Sequence, residues 1–379
     1  MPSDKAFRTK CVHSGSMIDP HTRGSITPIY PSTSFAYLEM DKKQYPRYFN
    51  TPNQDVLAKK LAELENGESA LVFSSGMAAI STAIFSIVKN GDHVIVQKGL
   101  YGGTTNFIEN SFPDCGISYD VTKGTAREDF ESLINNKTRM IYIETPSNPL
   151  LDITDLEMVA DVAGKKNIIT IIDNTFASPV NQVPLDYGID IVVHSATKYL
   201  GGHSDISAGA VITNNNLMPN IIKKARNFGG NLNAQTCYLL ERSIKTLALR
   251  VEQQNKNALE IAKHLLGHKK IEKVFYPGLE SHTGHTIAKR QMHGFGGMLS
   301  FELNASHDTM QFQKNLKMIL PSMSLGGVET TICSPALTSH SLLTSQQRAV
   351  IGISDQLLRL SVGIEDAADI IEDIEQAMA

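Results

Sequence analysis

Residues Asp190–Asp205 read DIVVHSATKYLGGHSD, and the upstream residues Ile168–Phe176 read IITIIDNTF. Each stretch contains a run of valine or isoleucine that is followed by polar residues. This pattern is typical of a strand that is buried on both faces of a parallel sheet. Asp173 ends the first predicted strand, and Lys198 follows the second. Ligands of open α/β sheets bind beyond the carboxyl ends of the strands, so we expect these two side chains to share a site.

The same alternation of apolar runs and helical patterns extends outward from these two stretches. It predicts further strands at Ala70–Ser74, His93–Gln97, Arg139–Glu144, Lys273–Tyr276, Met298–Leu303 and Leu357–Val362, and helices at Met77–Val88, Ala234–Gly267 and Ala367–Met378. We therefore predict an arm over residues 1–54 that reaches a neighbouring subunit, a large domain with a mainly parallel sheet over 55–245, and a smaller α/β domain over 246–379.

Composition narrows the class of protein. The chain has 379 residues, of which 41% are hydrophobic and 20% charged, and its net charge is -4. These values are typical of a globular protein and give no sign of binding nucleic acid. Neither a signal peptide nor an apolar run of about 20 residues is visible, so we expect no membrane contact and a cytoplasmic location. The four cysteines are scattered, which disfavours a disulfide framework or a zinc site.

Three local motifs carry candidate chemistry, and each also has a plainer interpretation. Ser74–Met77 joins a strand to a helix, and such a helix start binds phosphate or is simply a turn. Asp173 ends a buried strand, where it meets a metal, caps a helix or faces a cofactor cation. Lys198 is either an exposed loop lysine or a desolvated, nucleophilic amine, and Ser195 and Thr197 beside it are able to bind an anion.

Together the three motifs fit one ligand, pyridoxal 5′-phosphate (PLP). PLP has an aldehyde that reacts with a lysine, a ring nitrogen that needs an anionic partner, and a phosphate that needs backbone donors and hydroxyls. No Walker-type or dinucleotide-type glycine motif competes for the phosphate. The histidines His282, His285 and His293 are interpreted as solvated or structural, and Cys115 and Cys333 as packing residues.

Beyond these motifs, nearly the whole chain from Thr9 resembles the Cys/Met-metabolism family of fold-type I PLP enzymes. The matching segments include SSGMAAI (Ser74–Ile80), YGGT (Tyr101–Thr104), IETPSNP (Ile143–Pro149), SLGGVET (Ser324–Thr330) and LLRLSVGIED (Leu357–Asp366), besides DNTF and SATKYLGGHSD. The resemblance implies an α/β fold of the aspartate-aminotransferase-like, PLP-dependent transferase type. It also implies a homo-oligomer, a dimer at least and usually a tetramer.

The resemblance assigns cofactor roles by position. Lys198 resembles the lysine that binds PLP covalently, Asp173 the partner of the ring nitrogen, and Tyr101 the aromatic residue that stacks on the ring and handles protons. The phosphate and ring contacts correspond to Gly76, Met77, Thr175, Ser195 and Thr197, with Tyr45 and Arg47 reaching across from the adjacent subunit. No metal ligand is implied.

The substrate implied is a small sulfur amino acid. Arg359 resembles the arginine that binds the substrate carboxylate, and Asn148 and Ser324 resemble further contacts to cofactor and substrate. We expect a carbon–sulfur lyase of the cystathionine γ-lyase type, in which Lys198 and Tyr101 move the protons. Cystathionine γ-synthase, O-acylhomoserine sulfhydrylase, methionine γ-lyase, cystathionine β-lyase and a catalytically inactive binding protein stay open as alternatives.

Three positions depart from the pattern of cystathionine-handling γ-enzymes. Where many of those enzymes carry Glu, Arg and Glu, this chain carries Gln44, Asn106 and Met323. Pro46 also replaces the serine that is common after the Tyr45 position. The loss of charge predicts a less polar far end of the substrate pocket.

Overall fold

The computed structural model describes residues 5–38, 40–338, 341 and 344–379. Among these residues seven strands form one sheet: β1 Ser69–Phe73, β2 His93–Val96, β3 Ser118–Val121, β4 Thr138–Glu144, β5 Ile169–Asp173, β6 Ile191–His194 and β7 Gly209–Thr213. A second sheet contains β8 Ile271–Phe275, β9 Met298–Leu303, β10 Leu320–Pro321, β11 Thr331–Cys333 and β12 Leu357–Ser361.

The helices are distributed along the whole chain. They are α1 Phe7–His13, α2 Pro52–Leu64, α3 Gly76–Ile87, α4 Gly102–Asp114, α5 Arg127–Glu131, α6 Leu156–Gly164, α7 Ser178–Asn181, α8 Met218–Phe228, α9 Ala234–Ile244, α10 Leu247–Leu265, α11 His285–Gln291, α12 Thr309–Asn315, α13 Ser345–Val350 and α14 Ala367–Met378. Short 3₁₀ turns cover Pro46–Tyr48, Pro184–Tyr187 and Pro335–Leu337. Within the described ranges, no helix is both long and apolar enough to cross a bilayer.

The first sheet has the strand order β1-β7-β6-β5-β4-β2-β3 and is parallel except at β7, which runs antiparallel to β1 and β6. Except in the largely exposed edge strand β3, alternate residues enter two different cores, as Ile141 and Ile143 do on one face and Met140 and Tyr142 on the other. Both faces are therefore covered, which is why these strands read as continuous apolar runs.

The second sheet has the order β10-β11-β12-β9-β8 and is mostly antiparallel. A separate core, which includes Phe301, Leu358 and Ile374, packs α10 and α14 against it. The prediction of a mainly parallel sheet followed by a smaller α/β unit is confirmed.

Two local expectations were wrong. The single helix expected over Ala234–Gly267 is two helices, because Lys245 and Thr246 form tight turns to the carbonyls of Arg242 and Ser243. Cys115, expected to pack, caps the end of α4 and is exposed, whereas Cys333 is buried.

The N-terminal segment contains more structure than the extended arm that its weak periodicity indicates. Helix α1 packs on α2 and α10, and its Cys11 is fully buried. The buried Lys60 amine donates to the carbonyl of Cys11 at 3.0 Å, which satisfies an end carbonyl of α1.

Candidate active site

One cavity of about 480 Å³ lies at the carboxyl ends of the first sheet's strands. It brings together most of the residues predicted from sequence: Gly76, Met77, Tyr101, Asn148, Asp173, Thr175, Ser195, Thr197, Lys198, Ser324 and Arg359. Tyr45 and Arg47 do not line it. The residues come from both sheets, so the site depends on how the two sheets are held together.

Lys198 lies in the turn after β6 and points into the cavity. Its amine donates to the Ser324 hydroxyl at 2.8 Å. Burial, together with the smaller effect of the Arg359 guanidinium, lowers the pKa of Lys198 to about 8. A larger share of this amine is therefore neutral near pH 7 than is usual for lysine, which favours nucleophilic and base chemistry.

Ser324 adopts a left-handed backbone conformation, with φ of 82°. Such a φ is uncommon for a residue other than glycine and often marks a functional site. In this conformation the Ser324 hydroxyl accepts from Lys198, while its carbonyl accepts from Arg359 at 3.3 Å. Ser324 thus links the two cationic side chains of the site.

Asp173 ends β5 and is 5% exposed. Its carboxylate accepts the Thr175 N–H at 3.0 Å, yet burial keeps the pKa of Asp173 above its usual value. Because parallel pairing sets Glu144 of β4 directly beside it, two carboxylates lie buried at one sheet edge. Burial and the nearby Asp173 hold the pKa of Glu144 well above its usual range. A cationic group in the cavity would relieve this repulsion.

Sequence reasoning missed Glu144, although it ends a buried strand just as Asp173 does. Its carboxylate accepts the backbone N–H of Tyr101 at 2.7 Å and so fixes the start of α4. The Tyr101 side chain is 45% exposed at the mouth of the cavity. Thr338 is a second lining residue that the sequence did not indicate.

The start of α3 lies against the turn that carries Ser195. Ser75 caps the helix, and a β-carbon on Gly76 would lie only 2.8 Å from Cβ of Ser195, so only glycine fits there. The Thr175 hydroxyl accepts the Ser195 N–H at 2.8 Å. A helix start with free N–H groups and nearby hydroxyls is a favourable anion site.

Arg359 lies on β12 and is 6% exposed. It donates to the Asn148 side-chain oxygen at 2.9 Å and to the Ser324 carbonyl. Its Nε–H is buried and, among the described residues, has no partner. A guanidinium with an unused buried donor facing a cavity is suited to a carboxylate ligand.

Of the three positions that depart from the γ-enzyme pattern, only Met323 lines the cavity, and its side chain is 70% exposed. Arg47 donates to the Arg226 carbonyl at 2.8 Å, away from the cavity of its own chain.

Among the histidines interpreted as structural, His285 bonds the Pro277 carbonyl and stacks on Phe295. Over the described ranges, no cluster of three His, Cys, Asp or Glu residues has the arrangement of a metal site.

Known proteins resemble this chain along almost its full length. The sequence profile of the family described as Cys/Met metabolism PLP-dependent enzyme matches residues 8–379. A cystathionine beta-lyase of Lactococcus lactis subsp. cremoris (strain MG1363) is 41% identical over 376 residues, which cover 98% of this chain and 99% of that protein. A cystathionine gamma-lyase of Bacillus subtilis (strain 168) is 42% identical over 374 residues, 98% of each chain.

The structural comparison agrees. A crystal structure of cystathionine gamma-lyase from Lactobacillus plantarum, complexed with L-serine, has a TM-score of 0.95 and 39% identity, and the match covers 98% of both chains. The predicted fold class, PLP dependence and lyase class are thereby confirmed at the level of the family. The chain belongs to the family of PLP-dependent enzymes of cysteine and methionine metabolism.

Proposed function

We propose that this protein is a carbon–sulfur lyase that acts on cystathionine by γ-elimination. The observation that carries the PLP chemistry and the amino-acid substrate of this proposal is the cavity in which Lys198, Asp173 and Arg359 meet. An amine with its pKa lowered to about 8, a buried carboxylate and a buried guanidinium are the groups that a PLP enzyme needs for an amino-acid substrate. Relatives named for cystathionine gamma-lyase and beta-lyase activity support the substrate class.

The cavity contains a suitable residue for the ring nitrogen, for the aldehyde and for the phosphate of PLP. Asp173 is a buried anion for the ring nitrogen, Lys198 an amine for the aldehyde, and the start of α3 with Thr175, Ser195 and Thr197 a set of donors for the phosphate. Because a β-carbon on Gly76 would collide with Ser195, glycine allows the start of α3 to approach the Ser195 turn closely. When bound, PLP supplies an aldehyde for an amine and a ring that withdraws electrons from Cα.

The protein's own groups bind and orient the substrate and move its protons. Arg359, with Asn148, binds the α-carboxylate. Lys198 takes the proton from Cα, and a second proton must leave Cβ before the Cγ–sulfur bond breaks. Lys198 and Tyr101, which both line the cavity, are the groups that carry these protons. Ser324 holds the Lys198 amine in place at 2.8 Å.

We also propose that a second subunit completes the site. Tyr45 and Arg47 lie outside the cavity of their own chain, and Tyr45 is 43% exposed. An arm over residues 1–54 would carry them to the phosphate of a neighbour in a dimer, and two dimers would form the tetramer. A cytoplasmic location accords with the four free cysteines.

Product identification tests the reaction. Incubation of the PLP-loaded enzyme with L-cystathionine is expected to yield cysteine, 2-oxobutyrate and ammonia, which mass spectrometry distinguishes from homocysteine and pyruvate. The latter pair would replace the proposal with β-elimination. If neither pair formed and the enzyme instead joined an O-acylhomoserine to a thiol, the reaction would be γ-replacement.

Met323 favours methionine as a second substrate, because an apolar side chain lies where a carboxylate would bind the far end of cystathionine. We expect Met323→Glu to raise the ratio of kcat/KM for cystathionine to that for methionine by about tenfold, through a charge-assisted hydrogen bond to the distal ammonium. Met318→Glu is the matched control, since Met318 is exposed but lies outside the cavity. Equal ratios in the wild type and Met323→Glu would remove Met323 from substrate selection.

A further inference from the structure

Helix α10 buries polar side chains on one of its faces. Arg250, Gln254 and Asn257 are 5%, 0% and 1% exposed, respectively. Their spacing of four and then three residues places them in one stripe along the helix. Residues of these types are rarely fully buried, and a buried polar side chain demands an explanation from its partners.

The partners are backbone carbonyls of the segments that carry the site. Arg250 donates to the carbonyls of Tyr199 at 2.9 Å and Leu200 at 3.5 Å, the two residues after Lys198. Gln254 donates to the Gly327 carbonyl at 2.7 Å, three residues after Ser324. Asn257 donates to the carbonyls of Gly363 at 3.2 Å and Glu365 just beyond β12, the strand of Arg359.

Arg250 is a buried cation without a counter-anion. No carboxylate in the described part of the chain forms an ion pair with it, and its remaining strong bond is to the Ser243 carbonyl at 3.0 Å, at the negative end of α9. Gly202, with φ of +71°, fits against it, because a β-carbon there would lie 1.9 Å from Nη1. A buried charge that contacts only carbonyls and the Thr246 hydroxyl is a costly arrangement for stability and is better explained by a positional requirement.

The three segments also bond one another directly, since the Val328 N–H donates to the Gly202 carbonyl at 3.0 Å and the Gly326 N–H donates to the Ser361 hydroxyl at 2.8 Å. The Lys198 turn belongs to the first sheet, whereas the Ser324 loop and the Arg359 strand belong to the second. The Lys198–Ser324 bond crosses from the first sheet's turn to the second sheet's loop, and the Arg359–Ser324 bond joins that loop to β12. Because a displacement of about 1 Å at such a site lowers turnover by about a hundredfold, the register between the segments matters for the reaction.

We propose that Arg250, Gln254 and Asn257 are positioning residues that set the Lys198 turn, the Ser324 loop and the Arg359 strand in register. Gln254 acts through Ser324, and Arg250 acts through the backbone that follows Lys198. The inference rests on the proposed function only in assigning Lys198, Ser324 and Arg359 to the reaction.

Gln254→Met tests the central residue, because methionine has nearly the same length but no donor. We expect kcat for cystathionine to fall about tenfold, the equivalent of one buried hydrogen bond, with little change in KM. The same loss should nearly vanish in a Ser324→Ala background, since the hydroxyl that Gln254 positions is then absent. Equal losses in both backgrounds would show that Gln254 supports the fold in general and would overturn the proposal.

A spectroscopic readout separates this inference from the proposed function. The pH midpoint of the bound cofactor's absorbance should move in Gln254→Met toward the midpoint of Ser324→Ala. It should stay at the wild-type value in Glu260→Ala, an exposed change on the same helix. An unmoved midpoint in folded Gln254→Met would overturn the proposal even if the enzyme is an active lyase.

Arg250→Lys provides a second route if Gln254→Met fails to fold. Lysine keeps the charge but has one nitrogen in place of the guanidinium fork, so it cannot bond the Tyr199 and Ser243 carbonyls with the same geometry. We expect a shifted absorbance midpoint and a kcat about tenfold lower. Wild-type values for both in this variant would contradict the positioning role. If the wild-type protein had no lyase activity, the proposed function would be overturned. The absorbance midpoints of the variants would still test the positioning role of Arg250 and Gln254.

Discussion

Lys198→Ala is expected to lower kcat by at least about ten-thousand-fold, because the change removes both the amine that anchors the cofactor and the base that moves the Cα proton. The purified variant should also lack the absorbance band of lysine-bound PLP and should lose the cofactor on gel filtration. Steady-state assays with cystathionine and an absorption spectrum of the same sample measure the two effects together.

Lys60 is the matched control for this experiment. Burial lowers the pKa of Lys60 to about 8, as it does for Lys198, but the Lys60 amine bonds the Cys11 carbonyl and does not line the cavity. Lys60→Met should therefore reduce the free energy of unfolding and leave the cofactor band intact. Full turnover by Lys198→Ala would refute the mechanism, and loss of the band in folded Lys60→Met would show that the spectrum reports folding and not lysine attachment.

The residues at the strand ends were predictable because a strand buried on both faces appears in the sequence as a continuous apolar run. A run such as IITIID has to pass between two apolar layers, and its terminal Asp173 is then either paired or costly. The same reasoning predicts Lys198 just after a buried strand, and the structure has it in the turn that follows β6. Both side chains line one cavity, and so do the glycine and hydroxyl residues around them.

Other features of the fold depend on contacts that a local pattern does not contain. Strand β7 inserts antiparallel between β1 and β6, a position fixed by the global strand order. The interruption between α9 and α10 arises where the Ser243 carbonyl takes bonds from Thr246 and from Arg250, a residue seven positions away. Helical periodicity continues through the break, so sequence alone predicts one helix.

The polar stripe of α10 shows a similar limit. Its residues have helical spacing, and a polar stripe on a helix normally faces solvent. Only the tertiary structure shows that Gln254 is fully buried and that its amide contacts the Ser324 loop. Glu144 differs, because a charged residue at the end of a buried strand is a signal that the sequence contains, as it does for Asp173.

Arg359→Ala is expected to lower kcat/KM by about a thousandfold, mostly through KM, because a buried charge pair with the substrate carboxylate is lost. Asn148 and the Ser324 carbonyl would keep their positions but lose the guanidinium that they orient. Arg359→Lys should recover only part of the loss, since an ammonium does not supply the planar pair of donors. Steady-state kinetics with cystathionine and with its α-carboxamide separate binding of the carboxylate from general damage.

The carboxamide comparison decides the role of Arg359. The wild-type enzyme should discriminate strongly against the neutral analogue, and Arg359→Ala should treat the two compounds almost alike, because the group that distinguishes them is gone. Arg8→Ala, which removes an exposed pair with Glu252, should retain the wild-type discrimination. If Arg359→Ala still preferred the carboxylate by the wild-type factor, another residue would bind it. Arg359 would then act by lowering the pKa of Lys198, and the loss would appear in kcat.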